Sequence, residues 1–306
     1  MKKIITSCLA IAALAVGVAT TLAQQQRVTT TKQKVGQRIE TRGQASSRLA
    51  SLRPSVAFAV TQPEKSAVTS VVVPGANTMF GGLMVYSDKW QTSESTPGVV
   101  SIQAREGGAI SMVHSNKDML NVKSAVKVNN IVYATAMNLS TYKIYVQEYS
   151  ATSWTCTRNE ETDMVNLASS LACDPTTGKI YGSFFNTETE YWDRFCSYSA
   201  SLGEATDIAN MDRDVHALAF NSQGELYGIW GATGWLVKID KKTGSYVQVG
   251  KTGLHPISVD DYGVNSLAFG NDGALYWSAT YQGTSSKDMR GGLFKIDTAT
   301  GKATKV

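Results

Sequence analysis

The sequence predicts an all-β protein whose body is a β-propeller of four-stranded antiparallel blades. Two observations lead to this prediction. A tyrosine returns at an almost constant spacing of 47, 48, 46 and 49 residues, and a short hairpin motif returns with it. Repeats of about 40–50 residues that each hold four short strands are typical of propeller blades. The five tyrosines are Tyr86, Tyr133, Tyr181, Tyr227 and Tyr276.

The first half of each repeat predicts two short strands joined by a polar turn. Residues 171–181, 218–227 and 267–276 each contain a small apolar strand, a turn with glycine, and a second strand with an apolar residue before the tyrosine. Residues 126–133 carry a shorter copy, and residues 82–86 form a weaker first copy. Short apolar runs separated by Gly, Asn and Asp are typical of β-hairpins.

The second half of each repeat predicts another hairpin. Residues 234–249 match residues 292–306, and both contain the motif Ile-Asp-x-x-Thr-Gly. In such a turn Asp accepts backbone hydrogen bonds and Gly adopts a positive φ. The blades are therefore predicted at about residues 71–118, 119–163, 164–211, 212–260 and 261–306.

Two other all-β folds fit the repeat less well. A β-sandwich gives no reason for a five-fold period, and a parallel β-helix repeats over far fewer residues. A blade cannot bury both faces alone, so stacking against its neighbours supplies the core. Because Val306 aligns with Val249 inside the fourth strand of a blade, two forms stay open. The chain is either a five-bladed propeller or the N-terminal part of a six- to eight-bladed one.

The N-terminal residues predict export. Lys2 and Lys3 precede an apolar run over residues 4–18, and Thr21 and Ala23 supply the small residues of a cleavage site. The run is shorter than the roughly 20 residues that span a bilayer, which favours a signal peptide over a membrane anchor. Residues 1–23 are therefore predicted to be a signal peptide. The expected location is the periplasm, the cell surface or the extracellular space, with no transmembrane helix in the mature chain.

Charge is unevenly distributed along the chain. The formal net charge is +4, of which residues 1–23 carry +2 and residues 24–70 carry +6, so residues 71–306 carry −4. Residues 24–70 are rich in Gln, Thr, Ser, Arg and Lys, and they are predicted to be a flexible basic linker. Because nucleic-acid binding needs a basic folded surface, nucleic acid is not an expected partner.

The repeated units 220–228 (F-N-x-x-G-x-L-Y-G) and 236–244 and 293–301 ([LF]-x-K-I-D-x-x-T-G) resemble blades of secreted bacterial propellers. These belong to the broad quinoprotein-like and NHL-like superfamily, many of whose members have no assigned activity. The resemblance covers about residues 120–306. It implies a fold far more than a function, since one fold hosts many functions.

The sequence carries no signature of a catalytic residue, a cofactor or a metal site. The repeated tryptophan of quinone-dependent propeller dehydrogenases is missing from the matching strands, and the three histidines are not at metal-ligand spacing. Cys156, Cys173 and Cys196 leave open one disulfide, between Cys173 and Cys196, or three free thiols. A non-enzymatic binding or scaffold protein is favoured. The alternative is a polysaccharide hydrolase or lyase whose paired carboxylates come from different blades.

One face of the predicted propeller collects candidate ligand-binding residues. The start of each inner strand and the end of each second strand open onto the same face, around the mouth of the central channel. Aromatic rings beside polar groups suit the capture of a carbohydrate or a protein or peptide ligand. The alternative is that the rings wedge between blades and the polar groups hold water. The candidates are Ser124, Ser169, His216, Asn265, Trp90, Phe185, Trp230 and Trp277.

Overall fold

A computed structural model describes most of the predicted repeat region. The described residues are 78–86, 96–103, 110–115, 120–138, 141–231, 233–257, 265–284 and 288–306. They form antiparallel β-sheets and one 3-10 turn, Met164–Asn166. The predicted signal peptide and linker lie outside these residues and stay predictions.

The strands pair in the order in which the chain supplies them. The first sheet has three strands among the described residues, and each of the next four sheets has four. The strands are β1 (Thr78–Tyr86), β2 (Thr96–Gln103), β3 (Ile110–Ser115), β4 (Asn121–Val128), β5 (Ile131–Met137), β6 (Ile144–Ser150), β7 (Cys156–Thr162), β8 (Ala168–Cys173), β9 (Ile180–Asn186), β10 (Tyr191–Ser199), β11 (Glu204–Asn210), β12 (Val215–Phe220), β13 (Leu226–Trp230), β14 (Trp235–Ile239), β15 (Tyr246–Lys251), β16 (Asn265–Phe269), β17 (Leu275–Gln282), β18 (Met289–Ile296) and β19 (Ala303–Lys305).

The four-stranded sheets are the blades of a propeller. Their first strands, β4, β8, β12 and β16, lie beside one another in that order. Burial falls outwards: every residue of β12 is buried, whereas β15 at the outer edge of the same blade has no buried residue. The predicted all-β propeller is therefore confirmed for four blades, and β12 to β15 are the four strands expected from the fourth repeat.

The repeated tyrosine packs against the next blade, which gives the period a physical reason. The ring of Tyr181 in β9 lies 5.5 Å from the ring of Phe220 at the end of β12. One blade further on, Tyr227 in β13 meets Phe269 at the end of β16 at 5.7 Å. Both tyrosines belong to apolar clusters that combine residues of two blades. The core of this protein thus lies between sheets, as stacked repeats require.

Side-chain hydroxyls join the inner strands β8 and β12 to strands of the preceding blade, which belong to a different sheet. Ser170 accepts a hydrogen bond from the backbone N–H of Leu218 at 2.8 Å. Ser169 donates to the carbonyl oxygen of Val215 at 3.0 Å. In the preceding blade, Thr135 accepts from the backbone N–H of Ala168 at 3.2 Å. These hydroxyls satisfy buried backbone groups that would otherwise be costly.

The Asp-x-x-Thr-Gly segments form the predicted turns. Asp240 accepts a hydrogen bond from the N–H of Lys242 at 2.8 Å, and Gly244 has a φ of 72°. Gly301, at the same place in the β18–β19 turn, has a φ of 78° and touches the backbone of Gly250 in β15. Two blades therefore meet backbone to backbone at this point.

Gly250→Ala is expected to destabilise the protein by about 2–3 kcal/mol. A β-carbon at position 250 would overlap the carbonyl oxygen of Thr300 in the next blade, so the two blades would have to separate. The measurement is the free energy of unfolding in denaturant. The control is Val247→Ala in the same strand, where the side chain is 64% exposed and the expected change is within about 0.5 kcal/mol. Equal stability of the two variants would contradict this close approach.

Candidate functional site

Three of the candidate residues at the predicted channel mouth, Ser169, His216 and Asn265, lie at the start of their inner strands. Ser169 and His216 occupy irregularities in the pairing of β8 with β9 and of β12 with β13. β-bulges of this kind are common beside functional sites because they redirect a side chain. In β4 the corresponding irregularity falls at Lys123, one residue before the predicted Ser124. The repeat alignment could not resolve this one-residue offset.

The structure brings Asn265 and Trp277 together. The side-chain carbonyl oxygen of Asn265 accepts a hydrogen bond from the indole N–H of Trp277 at 3.2 Å. The Asn265 amide donates to the backbone oxygen of Ile257 at 3.0 Å. Trp277 is 0% exposed and packs in the cluster between the last two blades.

The other candidate residues are mostly buried as well. Trp230 is 2% exposed, and its ring meets Tyr246 edge-on at 4.5 Å with the Arg213 guanidinium 5.3 Å from its centre. The buried His216 ring packs against Gly231.

The remaining candidate residues differ in burial. Phe185 is half-buried, 5.3 Å from the ring of Trp192. Ser169 is buried and Ser124 half-buried, whereas Trp90 lies outside the described residues. Ligand binding by these residues stays a prediction.

Asn265→Ala is expected to lower the free energy of unfolding by about 1–3 kcal/mol. The substitution leaves the indole N–H of Trp277 and the carbonyl oxygen of Ile257 without the partners that Asn265 provides. Thermal or chemical unfolding measures the change. Ser266→Ala, at an exposed neighbour in the same strand, is the control and should change stability little. A stable Asn265→Ala variant would show that this pair is not needed for the fold.

A cleft of about 700 Å³ opens at the opposite end of the strands. The direction of the strands places the β8–β9 turn, the β10–β11 turn and the β14–β15 turn at this end, and all three contribute to the lining. The side chain of Tyr133 in β5 and that of Tyr181 in β9 add aromatic surface. Residues of three successive blades therefore form one concave surface. Sequence reasoning treated these segments only as turns.

The lining of the cleft is cationic. Lys179, Lys241 and Lys242 contribute to it, and no carboxylate does so among the described residues. Lys241 is paired with Asp174 and also donates to the carbonyl oxygen of Gly224 at 3.1 Å. Lys179 and Lys242 are exposed, and neither ammonium group forms an ion pair with a described residue. Two exposed ammonium groups thus face solvent at this cleft, and the carboxylate of Asp240 interacts electrostatically with that of Lys242.

A buried tyrosine lies beneath the cleft. Tyr198 in β10 contributes to the lining, is 6% exposed, and its hydroxyl has no hydrogen-bond partner among the described residues. Burial raises the pKa of Tyr198 well above its usual range; nearby Arg158 lowers it by less and Glu148 adds to the rise. The hydroxyl therefore stays protonated, as a hydrogen-bond donor that is closed off from solvent.

An arginine from one blade holds a turn of the next. Arg158 in β7 donates to the carbonyl oxygens of Ala200 and Ser201 in the β10–β11 turn, at 2.8 and 3.0 Å. Its guanidinium also pairs with Glu148 at 3.1 Å and with Glu160 at 2.6 Å. These contacts fix the edge of the cleft that Ala200 and Ser201 form.

An aspartate joins two turns of the cleft. Asp174 is 0% exposed at its side chain and accepts hydrogen bonds from the backbone and hydroxyl of Thr176, from the hydroxyl of Thr177 and from Lys241. Burial alone would raise the pKa of Asp174, but the hydrogen bonds from Lys241 and the two threonines outweigh it and hold the pKa well below its usual range. The carboxylate is thus stabilised in its charged form.

Asp174→Asn is expected to lower the free energy of unfolding at pH 7 by about 2 kcal/mol. Because the folded pKa is depressed, the aspartate stabilises the protein above about pH 4, its unfolded value, and this contribution is lost as pH falls further. The variant should therefore lose less stability than the parent protein between pH 5 and pH 3. Unfolding curves across this range test the expectation, with the exposed Asp212→Asn as control. Parallel pH profiles for Asp174→Asn and the parent would contradict it.

Three further properties concern the described residues alone. Cys156, Cys173 and Cys196 are free thiols, so the Cys173–Cys196 disulfide that the sequence left open is not formed. No group of three or more His, Cys, Asp and Glu side chains in the described part could hold a metal ion. None of the helical segments described there is long and apolar enough to cross a membrane.

Comparisons with known proteins give likeness only at the level of structure. No family model and no curated protein matches the sequence. One similar solved structure is a protein of unknown function from Bacteroides thetaiotaomicron, with 18% identity over 76% of this chain and 55% of that one, and a TM-score of 0.45. This chain thus spans about half of that protein's length.

Two other solved structures are similar to a comparable degree. Regucalcin from Agrobacterium tumefaciens, a calcium-binding protein, is 12% identical over 69% of this chain and 70% of that one, with a TM-score of 0.42. A chain of the nidogen/laminin complex is 11% identical over 68% of this chain and 89% of that one, with a TM-score of 0.42. Likeness at this level does not assign a function to the chain.

Proposed function

We propose that this protein is a non-enzymatic binding propeller that is exported to the cell envelope and captures a glycan or peptide ligand. The observation that carries the proposal is the cleft formed by residues of three blades. Its lining combines tyrosine rings, hydroxyl groups and ammonium groups. Ligand sites commonly combine a concave surface with a few polar groups that orient the ligand, on loops held by a rigid scaffold.

The rigidity of the cleft supports a binding role. The β8–β9 and β14–β15 turns are tied together by Asp174 and Lys241, and the β10–β11 turn is held by Arg158. A surface that is ordered before its ligand arrives loses little conformational entropy on binding. Export is supported by the signal peptide predicted for residues 1–23.

A glycan and peptide array probed with the purified protein is expected to show selective, reversible capture of one ligand class, with no change in the mass of that ligand. Cleavage of a captured polysaccharide would instead favour the hydrolase or lyase alternative. An array on which no glycan or peptide is retained would contradict the proposal.

The channel-mouth residues predicted from the sequence are a second place for the ligand. The double variant His216→Gln, Trp230→Phe changes both polar groups and retains most of the packing volume of two buried side chains. If the ligand binds in the cleft, capture should stay unchanged while the unfolding midpoint falls. Loss of capture by a folded double variant would show that the ligand binds at the channel mouth instead of in the cleft.

A further inference from the structure

We propose that the cleft recognises an acidic polysaccharide, with the carboxylate or sulfate groups of the sugar chain bound by Lys179 and Lys242 above the Tyr198 hydroxyl. This inference rests on the proposed function and names the ligand class of the same cleft. Four observations support it: the local charge, the origin of the two lysines, the buried hydroxyl and the hydroxyl groups of the lining.

The local charge of the cleft is opposite to that of the surrounding protein. Residues 71–306 carry a net charge of −4, yet the described lining contains three lysines and no carboxylate. Asp174 pairs with Lys241, whereas Lys179 and Lys242 form no ion pair with a described residue. Asp240 interacts with Lys242 electrostatically, so Lys179 carries the least compensated charge of the three lysines. Screening by salt limits the range of the electrostatic interaction of such charges to about 8 Å at physiological ionic strength. An anionic ligand is therefore attracted at the cleft rather than by the molecule as a whole.

The two lysines come from different blades. Lys179 ends the β8–β9 turn, and Lys242 lies in the β14–β15 turn. The Asp174–Lys241 pair joins these same two turns, so it keeps both lysines at one cleft. An ammonium group is a compact point charge that binds a single carboxylate or sulfate oxygen well. Two such groups suit a polymer that carries acidic groups on several of its sugar units.

The Tyr198 hydroxyl adds a donor beneath the lysines. It is buried and has no hydrogen-bond partner among the described residues, and a buried hydroxyl in this state lowers stability. Because the hydroxyl is closed off from solvent, an oxygen of a bound sugar would accept its hydrogen bond once the side chains around it shift on binding. Loss of this hydroxyl should therefore weaken binding without weakening the fold.

The hydroxyl groups of the lining favour a sugar chain as the ligand. Ser197 and Ser199 of the lining belong to β10, and Thr206 belongs to β11, the outermost strand of the same sheet. The groups offered to a ligand are side-chain hydroxyls, such as Ser201 and Thr206, and ammonium groups. These match the hydroxyl and acidic groups of a charged glycan.

Binding of polygalacturonate and dextran sulfate to the purified full chain tests the inference, with neutral dextran and poly-glutamate as comparison probes. Lys179→Gln, Lys242→Gln is expected to weaken binding of the acidic polysaccharides by about tenfold or more. Lys302→Gln is the matched control. Lys302 directly follows an Asp-x-x-Thr-Gly turn, as Lys179 does, and it is exposed but does not line the cleft. It should change affinity by less than about twofold.

Tyr198→Phe separates recognition from folding. Its affinity for the acidic polysaccharide should fall several-fold, while its unfolding midpoint stays equal to or above that of the parent protein, since an unsatisfied buried hydroxyl is removed. A fall in both affinity and stability would assign the hydroxyl a structural role and overturn its part in recognition.

Three outcomes would overturn the inference. If Lys302→Gln weakened binding of the acidic polysaccharides as much as the double variant does, the positive charge of the surface would attract them without a defined site. Tighter binding of poly-glutamate than of polygalacturonate would mean that the ligand is an acidic peptide. Selective capture of a neutral glycan would refute the acidic ligand and leave the proposed binding function standing, whereas retention of no ligand at all would refute the proposed function.

Discussion

Each blade depends on contact with the next one, and the tyrosine of its second strand makes a central part of that contact. A four-stranded sheet with two apolar faces cannot exclude water alone, so its stability comes from stacking. Tyr181 packs against Phe220, and Tyr227 against Phe269, each across a blade boundary. The hydroxyl of Ser169 joins the first of these boundaries through the backbone of Val215. The spacing of the tyrosines along the sequence therefore reflects the spacing of successive interfaces between blades.

The cleft is a consequence of the same stacking. Its walls include turns that belong to different blades, and charged groups help to hold these turns in place. Asp174 binds Lys241 across one boundary, and Arg158 binds the backbone of Ala200 across another. Because Lys241 is engaged by Asp174 while Lys179 and Lys242 form no ion pair with a described residue, the contacts that build the cleft also influence its charge.

The candidate channel-mouth residues show where repeat alignment succeeds and where it stops. Alignment placed Ser169 and His216 at equivalent positions, and both occupy irregularities of strand pairing. It placed Ser124 one residue away from the corresponding irregularity at Lys123, because a bulge adds a residue that a period cannot detect. Alignment also could not tell a ring that faces a ligand from one that is buried, as Trp277 is.

The sequence by itself determined the fold class, the four strands of a blade and the turns between them, because hydrophobic alternation, turn residues and repeat length are local properties of the chain. Only the tertiary structure decided which side chains share a cleft. Lys179 and Lys242 are 63 positions apart, and nothing in the local pattern of either turn indicates the other. Their proximity to the same cleft, and the burial of the Tyr198 hydroxyl beneath it, follow from how one blade packs on the next.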